Sequence, residues 1–375
     1  MTSASYSSAA AEPFEGLRIR GVAKTFGTDT TVLNEIDLDV HPGELISLVG
    51  SSGTGKSTLL RIIAGLEEPS AGRVTYAGQP LERGSVGVVF QRPILYPHLS
   101  VKDNILFPTR LGAFAGRVDM DYYRELLEAL KLEGLESRKP SQLSGGQAQR
   151  VGIARALIRR APVVLFDEPL ASVDEQMSAS IRADIVRLHE RYGFTGLYVT
   201  HDQNEALMLG QRVAVMDAGY LVQVDTPERL LAHPHTLQVA KLLAAPALNL
   251  LALEDSESLP AGCELAIRAT ALCPVAADAA HALPVQVLGS RHLVGGMLYR
   301  ARLLEAVSLP LESRRASAES ELSARMYARV RAGQELEFFI SDAQGTASLN
   351  VGERVHLGVA AERCFLFSGG KRFYL

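Results

Sequence analysis

Along the first 250 or so residues, short apolar runs alternate with stretches whose apolar positions recur every three or four residues. "NEIDLDV" (Asn34–Val40) alternates apolar and polar side chains, the period-two pattern of a half-buried strand. "ELISLV" (Glu44–Val49), "GVVF" (Gly87–Phe90), "VVLF" (Val163–Phe166) and "GLYVT" (Gly196–Thr200) are runs of the length and make-up of buried strands. Between them lie four helical faces: Leu59, Ile62, Ile63 and Leu66; Tyr123, Leu126, Leu127 and Leu130; Val151, Ala154, Leu157 and Ile158; and Ile181, Ile185 and Leu188. Ser100-Val-Lys-Asp103 has the spacing of a capping box opening one more helix. Strands alternating with helices predict an α/β fold with a mostly parallel sheet covered on both faces, which binds ligands at the carboxyl ends of its strands.

The rhythm changes between Ala245 and Asp255. From about Gly262 the chain reads as short strands punctuated by Gly and Pro: "ELAIR", "VQVLG", "LYRARLL", "ELEFFI", "RVHLGV" and "CFLF". This predicts a small β-barrel-like domain over residues 246–375. "SLPLESRRASAESELSA" (Ser308–Ala324) interrupts it and reads as a long exposed loop. At the other end, residues 1–15 are Ser/Ala-rich and read as a disordered tail, with neither the basic residues nor the apolar core of a secretory signal. "LLAAPALNLLAL" (Leu242–Leu253) contains Pro and Asn and is too short to span a bilayer, so a membrane role is expected to come through a partner.

Composition narrows the classes. Of the 375 residues 47% are apolar, enough for two cores, and the net charge of −4 is spread without a like-charge block. A phosphate-backbone binder shows a basic face, so a nucleic-acid partner is not expected. The three cysteines (Cys263, Cys273 and Cys364) are odd in number and lack metal spacing, which suits reduced thiols. His233-Pro-His235 has no third ligand nearby in sequence and reads as a solvated loop.

The chemistry concentrates in three places. "GSSGTGKS" (Gly50–Ser57) fits G-x-x-x-x-G-K-[ST] between a predicted strand and a predicted helix. Its glycines let backbone N–H groups curl around phosphate oxygens, Lys56 reaches the β- and γ-phosphates, and the Ser57 hydroxyl suits Mg²⁺. Asp167 ends an apolar strand, where a carboxylate suits a bound cation; Glu168 follows and suits a general base. The alternative for this pair is an ion-paired strand end. "LSGGQAQR" (Leu143–Arg150) places two glycines after a serine at a helix start, a second anion device without a lysine.

Together these stretches resemble the ATP-binding-cassette (ABC) ATPases, phosphate-loop NTPases with a helical subdomain. Gly50–Thr58 matches the family's Walker A, "VVLFDEP" (Val163–Pro169) its Walker B and "LSGGQAQR" its signature. Gln91 in "VFQ" matches the Q-loop, Asp174 in "SVD" the D-loop and His201 in "VTHD" the switch histidine. The resemblance covers about Leu17–Ala245 and implies an ATPase domain over residues 16–245, with the helical subdomain near 92–160. It implies ATP and Mg²⁺ as cofactors. ATP would be held by Gly50, Ser51, Ser52, Gly53, Thr54, Gly55, Lys56, Ser57 and Thr58, and the metal by Ser57, Gln91 and Asp167. Glu168 would be the catalytic base, His201 would hold the γ-phosphate and order Glu168, and Gln91 would sense metal and water beside a transmembrane partner. Phe26 in "KTFG" matches the aromatic that stacks on adenine; its alternative is an ordinary core aromatic.

In this family two copies pack head to tail. Ser144, Gly145, Gly146 and Gln147, with Asp174, would then complete the nucleotide site of the other subunit. "VTHDQNEAL", "VAVMDAGYLVQVDTPERLLAHP" and the β-rich tail resemble importer ATPases of the maltose-transporter type, which carry a C-terminal OB-like, TOBE-type domain. "LAIRATAL" (Leu265–Leu272) stands where that domain has "IRPE", with Ala269 and Thr270 replacing Pro and Glu, and "LGVAAERCFLF" resembles its closing strand. "LYPHLSVKDNILFP" (Leu95–Pro108) resembles sugar-importing members.

The implied protein is a peripheral ATPase subunit on the cytoplasmic face of the cell membrane. It would work as a homodimer or beside a paired ATPase, with permease subunits and, indirectly, an extracytoplasmic solute-binding protein. Its cargo would be a carbohydrate or, alternatively, iron, phosphonate, polyamine or sulfate. A chromosome- or repair-type cassette would need a long coiled coil between Lys56 and Asp167, where about 110 residues carry no sustained heptads. A phosphate-loop kinase has no use for "LSGGQ".

Overall fold

The structure, a computed structural model, describes residues 14–111, 118–254, 259, 262–311, 326–344, 348–360 and 363–372. Residues 1–13 of the expected tail, and 312–324 of the expected loop, lie outside the described residues. The chain divides into two compact units, Met1–Pro227 and Glu228–Leu375.

In the first unit β1 (Leu17–Phe26), β2 (Thr30–Val40), β3 (Leu45–Val49), α1 (Lys56–Ile63), β4 (Ala71–Tyr76), β5 (Gln79–Pro80) and β6 (Gly87–Val89) come first. They are followed by α2 (Val101–Leu106), α3 (Met120–Ala129), α4 (Gly145–Leu157), β7 (Val163–Asp167), α5 (Glu175–Tyr192) and β8 (Thr195–Thr200). The unit closes with α6 (Gln203–Leu209), β9 (Arg212–Asp217) and β10 (Tyr220–Asp225). A six-stranded sheet has the order β10-β9-β3-β8-β7-β6, parallel throughout except for the β9/β10 hairpin. A four-stranded antiparallel sheet has the order β2-β1-β4-β5.

Strand pleating sends alternate side chains of the large sheet to two cores. Val163 and Leu165 join Ile46, Leu48 and the α1 residues Leu59 and Ile63 against the smaller sheet. Val164 and Phe166 point the other way, into a core shared with α2, α3, α4 and α5. The helical segment expected over 92–160 therefore packs on one face of the large sheet. The expected strands and helical faces are found, with one exception. Leu66 was expected on the α1 face but is exposed, because Gly65 at φ +67° takes the left-handed conformation that ends the helix. Ser100 caps α2 by accepting from the Asp103 N–H at 3.0 Å, but the reciprocal half of the box is replaced: the Asp103 carboxylate accepts from the Ser100 hydroxyl and from Arg110.

The second unit holds nearly all of α7 (Pro227–Ala232), then α8 (Leu237–Leu242) and a set of antiparallel strands: β11 (Leu248–Ala252), β12 (Glu264–Arg268), β13 (Cys273–Val275), β14 (Leu283–Leu293), β15 (Gly296–Leu303), β16 (Val307–Leu311), β17 (Met326–Val330), β18 (Glu335–Ser341), β19 (Arg354–Gly358) and β20 (Cys364–Ser368). They form sheets β11-β12-β20-β21, with β21 at Lys371–Arg372, and β13-β19-β14-β15-β18 and a β16/β17 hairpin, with a main core and a smaller cluster that includes α8. One expectation changes here: Ser308–Leu311, read as loop, is strand β16, paired with β17. Helix α8 falls within the second compact unit, where Leu237 and Ala240 pack on Ala266, Phe365 and Phe367.

Candidate nucleotide site

Three parallel strands end side by side. Val49 of β3 pairs with Thr200 of β8, and Asp167 of β7 pairs with Val199 of β8. Each strand end releases a functional segment at the same edge of the sheet: the glycine loop after β3, the Asp167–Glu168 pair at the end of β7, and His201 after β8.

The loop geometry requires its glycines. A Cβ on Gly50 would lie 2.4 Å from the Met216 carbonyl oxygen, and Gly55 sits at φ +96° with Leu33 and the Val32 carbonyl closer than 3 Å to where its Cβ would be. Ser51, Ser52 and Gly53 are exposed, Thr54, Gly55 and Lys56 are buried, and Ser57 is exposed. Thr54 ties the loop to itself by donating to the Ser51 carbonyl at 2.9 Å. Gly55 is the N-cap of α1, so the free N–H groups of the first helical turn face the loop interior.

Lys56 is 4% exposed and donates to the Gly50 and Ser51 carbonyls at 2.7 and 2.9 Å. Burial pushes its ammonium below the ordinary lysine value, and the Glu168 and Asp167 carboxylates pull it partly back. Ser57 donates to Asp167 Oδ1 at 3.2 Å, which joins the loop to β7. Burial holds the Asp167 carboxyl above its usual range, helped by the neighbouring Glu168 charge and opposed by Ser57 and Lys56. A hydroxyl bonded to a half-buried carboxylate whose charge is only partly offset is a hard-oxygen donor set suited to a small divalent cation.

Glu168 takes φ +44°, a strained region for a residue with a Cβ, and its N–H is anchored to the Val199 carbonyl at 2.9 Å. Its Oε2 lies 3.0 Å from Nδ1 of His201, whose ring is 59% exposed. Lys56, Ser57, Asp167, Glu168 and His201 thus form one connected cluster. Phe26 ends β1 at 42% exposure with the Lys24 ammonium 4.9 Å from its ring centroid, so it is a surface aromatic rather than a core one.

The ABC transporter family model matches residues 33–171, which hold the phosphate loop, the "LSGGQ" stretch and Asp167–Glu168. The sn-glycerol-3-phosphate import ATP-binding protein UgpC of Salmonella typhi is 42% identical over 266 residues, 68% of this chain and 74% of that protein. The chain belongs to the ABC transporter family. UgpC 1 of Rhizobium johnstonii is 45% identical over 241 residues, and the match spans 63% of this chain and 65% of that relative's length. Among solved structures, cbiO1 from Clostridium perfringens, part of the ABC transporter complex cbiONQ, aligns with a TM-score of 0.53 at 27% identity over 59% of this chain and 92% of that one. The ATP-binding cassette MJ0796, in a dimeric post-hydrolysis state bound to ADP and Pi, aligns with a TM-score of 0.50 at 32% identity over 56% of this chain and 98% of that one.

The remaining family positions occupy the segment just after β6 and the starts of α4 and α5. Ser144 is the N-cap of α4 and exchanges hydrogen bonds with Gln147 in a capping box, at 3.0 and 3.3 Å. A Cβ on Gly145 would meet open space, whereas one on Gly146 would meet the Met177 side chain at 2.6 Å. Asp174 is the N-cap of α5 and accepts from the Met177 N–H at 2.9 Å. Gln91 is exposed just beyond β6, and the carbonyl of its neighbour Phe90 accepts from Gln149 of α4 at 3.2 Å. Among the described residues no group of three or more His, Cys, Asp or Glu could hold a metal ion, and no helix is long and apolar enough to cross a membrane.

One residue at this edge escaped the sequence reading. Glu205 of α6 is buried and accepts from the hydroxyls of Thr200 at 2.8 Å and Tyr198 at 3.1 Å. Thr200 also accepts from the Asp202 N–H at 3.0 Å, so Glu205 braces the turn that carries His201. Only its place in "THDQNE" could have signalled it. Burial raises the folded-state pKa of Glu205, opposed by the two hydroxyls. The unfolded value lies near 4.3. Its proton-linked contribution to stability is therefore full below about pH 4 and fades as pH rises through the raised folded value. Glu205→Gln, which keeps an acceptor oxygen, should gain in Tm on the wild type as pH rises from about 4 to 7. Melting curves across this range check it; a pH-independent difference would exclude the linkage.

Proposed function

We propose that this chain is the ATP-hydrolysing subunit of a membrane importer, acting on MgATP held between two head-to-tail cassettes. The observation that carries the reading is the convergence of Lys56, Ser57, Asp167, Glu168 and His201 on the carboxyl ends of three adjacent strands. In this reading Lys56 leaves the Gly50 and Ser51 carbonyls for the β- and γ-phosphates, and Phe26 supplies a flat apolar surface for adenine. Ser57 and Asp167, with Gln91, hold Mg²⁺, which neutralises phosphate charge when bound. Glu168 accepts the proton of the attacking water as its oxygen bonds to the γ-phosphorus, and the bond to the bridging oxygen of ADP breaks. His201, 3.0 Å from Glu168, orients that carboxylate.

Ser144, Gly145, Gly146, Gln147 and Asp174 act in the site of the partner cassette. Closure then depends on the γ-phosphate, since the pair has differential affinity for that state, and hydrolysis releases it. The UgpC relatives are named for import of sn-glycerol-3-phosphate, which favours a polyol or sugar phosphate as cargo. Permease subunits dock beside Gln91 on the cytoplasmic face, a solute-binding protein delivers cargo from outside, and the β-rich unit serves as an OB-like, TOBE-type domain.

Mixing two inactive variants tests the shared site. Ser144→Arg would fill the space where the partner's γ-phosphate sits, and Lys56→Ala would disable a copy's own phosphate loop. Each variant alone should lose turnover. An equal mixture should recover hydrolysis in about half of the pairs, those with one variant of each kind, because one site per mixed pair keeps both halves. Absence of any recovery would refute action across the pair.

A further inference from the structure

A buried charge cluster lies between α4 and α5, away from the nucleotide cluster. Asp184 of α5 has no solvent exposure. Arg150 of α4 reaches it at 2.8 Å and donates to Ser180 at 2.9 Å. Arg187 pairs with the same carboxylate, and the Lys131 ammonium lies 3.7 Å away. Arg150 ties α4 to α5 through this enclosed carboxylate, Lys131 approaches it from the segment after α3, and Arg187 pairs with it from α5 itself; a carboxylate without these cations would be unpaired in a low-dielectric setting.

The junction is in register with a second contact. Met177, Ser180 and Asp184 fall at i, i+3 and i+7 along one face of α5, and Gly146 and Arg150 fall one turn apart on α4. Met177 packs where a Cβ on Gly146 would be, one turn before Arg150 meets Asp184. The first turns of the two helices, capped by Ser144 and Asp174, are therefore held side by side by a stripe of contacts that ends at Asp184.

We propose that Asp184 is a positioning residue: through Arg150 it holds the first turn of α4 beside that of α5, so its loss impairs the nucleotide site of the partner copy rather than its own. This rests on the reading that Ser144–Gln147 and Asp174 serve a site in trans. Asp184 touches no nucleotide itself, and a purely structural role would weaken both sites of a pair alike.

Differently tagged full-length copies separate the two, with ATP-dependent pairing and hydrolysis both measured. The control pair joins a Lys56→Ala copy to an unchanged copy, leaving one live site that uses the α4 of the Lys56→Ala copy. Adding Asp184→Asn to the Lys56→Ala copy should lower pairing and hydrolysis at that site at least about tenfold. Moving Asp184→Asn to the copy with intact Lys56 should leave both within about twofold of the control. Equal losses in the two arrangements, or none in either, overturn the proposal. If Asp184→Asn does not fold, Arg150→Gln, which removes the α4 cation that faces Asp184, should show the same asymmetry. A control pair that fails to form with ATP overturns the shared-site reading and this inference together, whereas a control that forms and shows symmetrical losses overturns this inference alone.

Discussion

Lys56→Ala should reduce ATP hydrolysis at least about 1,000-fold, or about 4 kcal/mol of barrier, while leaving the fold intact. Phosphoryl transfer gives the protein little covalent work, so positioning and charge neutralisation carry the rate, and Lys56 is the cation built into the loop. Its buried ammonium rests on two loop carbonyls, 2.7 and 2.9 Å away, so it is already held at the mouth of the anion cradle. Removing it takes away a charge whose burial is itself unfavourable, as its lowered pKa indicates, so the loss should appear in turnover rather than in melting temperature. Steady-state hydrolysis with circular dichroism on the same sample separates the two. Turnover near the wild-type level would remove Lys56 from the site.

Glu168→Gln should abolish turnover and trap the paired state. The amide matches the carboxylate in shape, can occupy the same backbone at φ +44° and still offers an atom to His201 at the 3.0 Å position. What it cannot do is take a proton from water, a contribution of roughly 100- to 10,000-fold. With ATP bound and cleavage blocked, light scattering should find a species of twice 40.4 kDa; with ADP it should find the single chain. A variant that keeps its turnover would remove Glu168 as the base, and one that stays single with ATP would count against closure driven by the γ-phosphate.

Much of the candidate nucleotide site is legible in the sequence because its motifs are local. The phosphate loop is a run of eight residues in which a Cβ on Gly50 or Gly55 would meet backbone oxygen at 2.4 or 2.8 Å, and Asp167 stands at the end of an apolar strand that only a buried sheet explains. The order of the strands was not readable, since β3 sits between β8 and β9 and nothing within β3 names those neighbours. Leu66 matched the helical period, but a period carries no stop signal, and Gly65 supplies one through its left-handed backbone. Strand β16 was hidden because Pro310 and the polar stretch beyond it read as loop, while its partner β17 lies past residues 312–325. The packing of α8 with the β-rich unit is not legible because its partners Phe365 and Phe367 come more than 120 residues later in the chain. Glu205 and Asp184 are polar residues on helices that would pass for solvated positions, and only burial and their partners mark them.

The strand order also has a consequence for how the chain is made. Strand β3 ends at Val49, but its neighbours β8 and β9 begin at Thr195 and Arg212. On a ribosome adding about 5–20 residues per second, the apolar β3 and the helix after it wait roughly 7–30 seconds before either neighbour exists. During that interval the Leu45–Val49 run is an unpaired β-rich segment of the kind that aggregates or recruits holdase chaperones. Slowing synthesis between α1 and β8 should therefore lower the soluble yield of this protein, whereas slowing it after β10 should not.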